Sequence, residues 1–118
     1  MATWHIDLVT EPAAIVVRIV GSIEAADATD AAERTSAMLR RLSTDVEVCI
    51  DLRQMVDYTV SARDQWSAVL KEHKPKIRML TWVTTKSTQR MVGRAVGLFT
   101  GLTTRLLDEL PPEFAARR

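Results

Sequence analysis

The spacing of hydrophobic and polar positions along the 118-residue chain changes several times, and each change predicts an element. Trp4-His5-Ile6-Asp7-Leu8-Val9 alternates loosely, as a half-exposed strand does. Glu11-Pro12 interrupts. Ala14 to Val20 then runs almost continuously apolar and β-branched, the composition of a strand buried on both faces. The short connection predicts an antiparallel pair, and Gly21-Ser22 predicts its end. From Glu24 to about Leu42, Ala28, Ala31, Ala32, Thr35, Met38, Leu39 and Leu42 recur at helical spacing, with acids early and arginines late. Ser43-Thr44-Asp45 breaks this helix, and Val46 to Leu52 reads as a third strand.

Arg53 to Thr59 is then expected to be a loop feeding a second helix, about Ser61 to His73, with Trp66, Val69, Leu70 and His73 inward and Pro75 enforcing its stop. Ile77 to Thr84 is a fourth strand. Thr85-Lys86-Ser87 supplies a cap for a third helix from Thr88 to about Thr100, with Met91, Val92, Ala95, Val96 and Phe99 inward and Gly101 closing it. Thr103 to Leu107 is a short fifth strand, and Pro111-Pro112 opens a terminal helix at Glu113. The order β-β-α-β-α-β-α-β-(α) requires helical crossovers. It predicts an α/β fold: a mixed, mostly parallel five-stranded sheet packed by three to four helices, with only the first strand antiparallel to its neighbour. No repeat or linker divides the chain, so residues 1–118 read as one domain.

Composition narrows the class. Hydrophobic residues at 47% and charged residues at 26% exclude a disordered chain, and no apolar run is long enough to span a membrane. The opening residues lack a signal-peptide layout, and the single Cys49 forms no internal disulfide, so the expected compartment is the cytoplasm. Charge is uneven: residues 1–57 carry five arginines against ten carboxylates, and residues 58–118 carry eleven Lys and Arg against five. The run Lys71, Lys74, Lys76, Arg78, Lys86, Arg90, Arg94 reads first as a solvated face, with an acidic partner or anionic lipid as the alternative. Nucleic acid is not indicated, because no aromatic-interleaved basic strand, zinc pattern or helix-turn-helix is present.

Candidate chemistry is sparse. His5 and His73 have no partners at metal-ligand spacing, and Cys49 lies in an apolar strand, where a thiol behaves as a small hydrophobe. No catalytic constellation, metal site or cofactor motif emerges, and the reading is of a non-enzyme. Gly93 and Gly97 form a G-x-x-x-G pair that suits close packing of the third helix on the sheet, with a helix–helix contact as the lesser option. Trp4, Trp66 and Trp82 are expected in the core. In an open α/β sheet the cleft lies beyond the carboxyl ends of the strands. Those ends carry Ser22, then Asp51 and Arg53 followed by Thr59 and Ser61, then Thr84 and Lys86. Hydroxyls there serve as helix caps or as a ligand or partner edge.

Val48-Cys49-Ile50-Asp51-Leu52-Arg53 resembles the apolar strand ending in Asp-Leu of the STAS domain, in its SpoIIAA-like branch of small bacterial proteins. Ala95-Val96-Gly97-Leu98-Phe99-Thr100 with Thr103-Thr104-Arg105-Leu106 resembles the same branch's passage from helix to last strand. The resemblance implies a SpoIIAA-like (STAS) fold. In that family's anti-sigma-factor antagonists, a Ser or Thr starting the second helix is phosphorylated by a partner kinase, and the phosphate disrupts the complex. Ser61 falls at that position, with Thr59 beside it. The family's acidic and hydroxyl residues ahead of the site and Gly after it are replaced by Thr59, Val60 and Ala62.

The expected function is a non-catalytic regulatory or protein-interaction module with a protein partner. The alternative is a small-molecule or lipid-binding domain using a pocket between sheet and helices. An exposed apolar face near Ser61 favours the first, an apolar cavity the second. The nearly apolar third helix adds the expectation of a homodimer with this helix near the interface.

Overall fold

The computed structural model describes residues 3–10, 13–42 and 45–115. The predicted Glu11-Pro12 connection and the Ser43-Thr44 helix break lie outside the described residues. Strands β1 (Thr3–Thr10), β2 (Ala13–Ile23), β3 (Val46–Tyr58), β4 (Ile77–Val83) and β5 (Thr104–Leu107) form one sheet. Their spatial order is β1-β2-β3-β4-β5. The β1–β2 pair is antiparallel and the other three pairs are parallel, as the crossover argument requires. The helices are α1 (Ala25–Arg41), α2 (Val60–Glu72), α3 (Ser87–Thr100) and the short α4 (Pro112–Ala115).

Two strands run further than their sequences suggest. Gly21 does not end β2: with φ 86° it makes an irregularity, and pairing continues through Ser22↔Asp57 and Ile23↔Tyr58. In consequence Arg53 to Tyr58 is not a loop. It is the second half of β3, and the chain turns into α2 only at Thr59.

The main core lies between one sheet face and α1–α3, where Ile15, Val17, Val48, Ile50 and Leu80 meet Ala28, Leu39, Trp66 and Leu70. A smaller cluster on the opposite face joins Val9, Ala14, Val16, Cys49 and Val83 under Phe114 of α4. The C-terminal end of α1 is held by Lys76, whose ammonium donates to the carbonyls of Leu39 (2.7 Å) and Arg40 (3.2 Å), a cation placed on the negative end of the helix dipole. His73 is buried where α2 ends, its Nε2 2.8 Å from the Ser36 hydroxyl of α1.

Helix α3 is rotated from its expected setting. Met91, Ala95 and Phe99 point outward, and the buried positions are Gln89, Gly93, Val96, Gly97 and Thr100, with Val92 half-buried. The two glycines decide this. A Cβ on Gly93 would stand 2.9 Å from Trp82 Cδ1, and one on Gly97 would collide with the Thr104 hydroxyl. The helix therefore rests its smallest residues on the sheet. The outer face leaves Leu98 86% exposed, with Lys71 of α2 lying 4.6 Å over the Phe99 ring.

Candidate functional site

The residues expected along the strand ends divide between two places. Ser22, Thr59 and Ser61 gather where β2 and β3 overhang the sheet and enter α2. Ser22 is half-buried opposite Asp57, and the Thr59 N–H donates to the Ile23 carbonyl (3.3 Å). Thr59 is the N-cap: its Oγ1 accepts from the Ala62 N–H at 3.1 Å. Ser61 is exposed in the first turn of α2 and does not cap it.

Asp51 and Arg53 stand apart from that edge. Strand alternation turns Ile50 and Leu52 toward the helices and Asp51 and Arg53 to the opposite face. Asp51 is buried and takes a two-pronged contact from Arg53, Nε to Oδ1 at 3.0 Å and a terminal nitrogen to Oδ2 at 2.8 Å. Asp51 holds the Arg53 guanidinium above its ordinary value through this hydrogen bonding. Thr59 thus caps α2, and Asp51, on the other face of the sheet from the helices, is paired with Arg53 two residues on in the same strand.

Thr84 and Lys86 serve the start of α3. The buried Thr84 hydroxyl donates to the Gln89 side-chain oxygen and accepts from the Lys86 N–H at 3.2 Å. Lys86 is the N-cap residue and makes no side-chain cap, so the capping predicted for Thr85-Lys86-Ser87 is not found there. The Lys86 ammonium reaches back to the Met55 carbonyl (3.1 Å), tying α3 to the extension of β3.

Two features of this end carry apolar surface that the sequence reading missed. Val56 and Val60, before and after the Thr59 turn, are 71% and 61% exposed. Beneath the turn, between the sheet and helices α2 and α3, lies a cavity of about 60 Å³. Its walls include Ile23, Ile50, Tyr58, Ala62, Trp66 and Trp82. The indole nitrogens of Trp66 and Trp82 are both buried without a hydrogen-bond partner. An unpaired buried donor costs on the order of 1–3 kcal/mol.

The opposite face is charged. Glu47 is buried and receives Arg105 (2.9 Å), the Thr81 hydroxyl (2.5 Å) and Arg78 (3.7 Å). Burial, then the carboxylates of Glu47 and Asp51, push the Cys49 thiol up to about 12, so it is not a nucleophile at neutral pH. Arg78 also binds the Ala13 carbonyl (3.0 Å), and Arg90 pairs with Asp108, so the basic run is spread over separate structural contacts. Among the described residues, no three His, Cys, Asp or Glu side chains stand close enough to hold a metal ion, and no helix is long and apolar enough to cross a membrane.

No protein-family model and no curated protein matches the chain. Two solved structures are similar in fold. One is an uncharacterized protein of the DUF3478 family with a SpoIIAA-like fold from Shewanella loihica PV-4, at TM-score 0.74 and 12% identity, covering 98% of this chain and 92% of that one. The other is an anti-sigma factor antagonist from Mycobacterium paratuberculosis, at TM-score 0.68 and 16% identity, covering 98% and 93%. The chain has a SpoIIAA-like fold, as the two resembling segments implied.

Proposed function

We propose that residues 1–118 form one non-catalytic regulatory domain that binds a protein partner through the edge where β2 and β3 meet α2. The observation that carries this reading is the pair of exposed valines, Val56 and Val60, flanking the exposed Thr59 and Ser61. An apolar pair with hydroxyls beside it, on a turn that the sheet holds in place, is the anatomy of a small interface patch. The similar anti-sigma factor antagonist supports a regulatory role, and we place the partner and the protein together in the cytoplasm.

Ser61 is the modification point in this reading. It lies within the first turn, where backbone N–H groups and the helix dipole favour an anion. Asp57 and Asp64 oppose a phosphate, while Arg63, paired at 3.3 Å with Asp64, is free to turn toward it. A phosphate there changes the charge of the patch and leaves the Thr59 cap intact. The test is capture of partners from the native cell with wild type, Ser61→Ala, Ser61→Asp and Val60→Asp. Wild type and Ser61→Ala retain the partner, and Ser61→Asp and Val60→Asp lose it. An unchanged partner set across all four overturns the reading.

Self-association is a second proposal, through the outward face of α3, where Met91, Leu98 and Phe99 are uncovered. Gly93 and Gly97 take no part, because both face the sheet. A clean monomer in sedimentation at tens of micromolar (roughly the range of weak dimers) overturns it.

A further inference from the structure

The face of the sheet turned away from α1, α2 and α3 has a cover of its own, and that cover is lightly fixed. The Leu107 carbonyl accepts from the Thr84 N–H at 2.9 Å; beyond it the chain leaves β5 and returns over this face. Among the described residues, no backbone hydrogen bond joins residues 108–115 to the sheet or to another helix. The Phe114 N–H turns back to the Pro111 carbonyl at 2.9 Å, and Pro111 and Pro112 have no N–H to give. Side chains supply the remaining ties. Phe114 is buried in the cluster of Val9, Ala14, Val16, Cys49 and Val83, Leu110 packs against that cluster, and Asp108 pairs with Arg90.

These ties are unequal. Asp108 is exposed, and an ion pair in water holds little against solvent and salt. Leu110 and Pro111 are half-buried. Among the described side chains of the segment Phe114 alone is buried, at 3% exposure, so lifting the segment forfeits little more than one aromatic contact. Each residue released regains backbone freedom, which offsets part of that loss. The main core takes no part in the movement, because Ile50, Leu70 and Leu80 meet on the opposite side of the sheet. Strand pairing is kept as well, since β5 ends at Leu107, before the segment begins. Opening is therefore local and costs less free energy than unfolding the sheet.

We propose that residues 108–115 form a releasable cover, held down by Phe114, whose lifting uncovers the second face of the sheet while the helical face stays packed. What it uncovers is an apolar strip of Val9, Val16, Cys49 and Val83, set beside the anchored pairs Glu47–Arg105 and Asp51–Arg53. This face lies across the sheet from α2, so the cover is a device separate from the partner edge proposed above. Its test reads neither a partner nor Ser61. Cys49 is fully buried in the closed form and belongs to the cluster that Phe114 closes, which makes its thiol the reporter of the movement.

The test follows the reaction of Cys49 in the full chain with dithiobis(nitrobenzoate), a coloured thiol reagent, at constant mildly alkaline pH and increasing urea. Global unfolding is measured in the same solutions by tryptophan fluorescence. At low urea the wild-type thiol reacts at least about tenfold faster than the unfolded population permits, through an opening that stays below the global free energy. The urea slope of that reaction is under about a third of the slope of unfolding, because little surface is exposed. Phe114→Ala speeds the low-urea reaction about 100-fold, as loss of a buried aromatic anchor requires. Leu110→Ala, which trims a half-buried contact, speeds it about tenfold. Leu70→Ala, in the main core, moves the unfolding transition and leaves the low-urea reaction within about twofold of wild type. A wild-type rate that tracks global unfolding down to the absence of urea overturns the proposal, and it is read on the unmodified protein whether or not a variant folds. A low-urea rate that Phe114→Ala leaves unchanged, or that Leu70→Ala raises as much, overturns it too.

Discussion

Under α1, α2 and α3, strand β3 presents Val48, Ile50, Leu52 and Met55; on its other side the same strand presents Glu47, Cys49, Asp51 and Arg53. The first set is held by close packing against Leu39, Trp66 and Leu70. The second is held by ion pairs and one hydroxyl, with a small apolar island under Phe114. One strand thus contributes to stability in two ways. Packed atoms have no alternative partner once removed, whereas Arg105 and Arg78, with 39% and 33% of their side chains exposed, turn to water when Glu47 is gone.

The contrast is broken most strongly by a cut on the packed face. Leu70→Ala removes a fully buried side chain, and urea unfolding is expected to show a loss of about 2–5 kcal/mol. Glu47→Ala on the charged face costs about 1–3 kcal/mol in the same measurement, mostly for the buried Thr81 hydroxyl left without its acceptor. A Glu47→Ala cost equal to or above that of Leu70→Ala erases the distinction.

Cys49 sharpens the comparison from within the charged face. Its folded-state value near 12 lies above the ordinary 9.0, so the folded chain keeps its proton where the unfolded chain has lost it. The associated stability is complete below pH 9 and declines as pH rises from 9 toward 12. Wild type and Cys49→Ala, compared by urea midpoint across that range, converge as pH rises. Parallel curves refute the assignment. The smallest effects belong to the α2 turn. Thr59→Ala loses about 1 kcal/mol with its cap, and Ser61→Ala stays within about 0.5 kcal/mol of wild type, both read from thermal unfolding.

Much of the packed face was legible in the chain because β-branched runs and three-four spacing report burial directly. The elements, their order and the parallel pairing follow from that. What escaped depended on distances between elements. Gly21 reads as a stop in one dimension; in the sheet it is a kink that β3 follows as far as Tyr58. Met91, Ala95 and Phe99 look like an inner face until Trp82 and Thr104 require glycines beneath the helix. Ser61 was singled out by the family resemblance, while the separation of Asp51 from it follows from strand alternation past Leu52 and from the extension of β3. The cavity had no local signature, because its walls come from β2, β3, α2, β4 and α3 and meet only in the folded chain.

The sheet's spatial order, β1-β2-β3-β4-β5, is also the order of synthesis. No strand has to be inserted between two that are already paired, and each new strand adds to the edge left by the one before. On a ribosome this allows assembly from the N-terminal hairpin outward, each crossover helix covering the strands behind it as it emerges. Pairing neighbours in sequence also keeps loop-closure distances short for a parallel sheet, which shortens the interval in which a nascent edge is open to another chain.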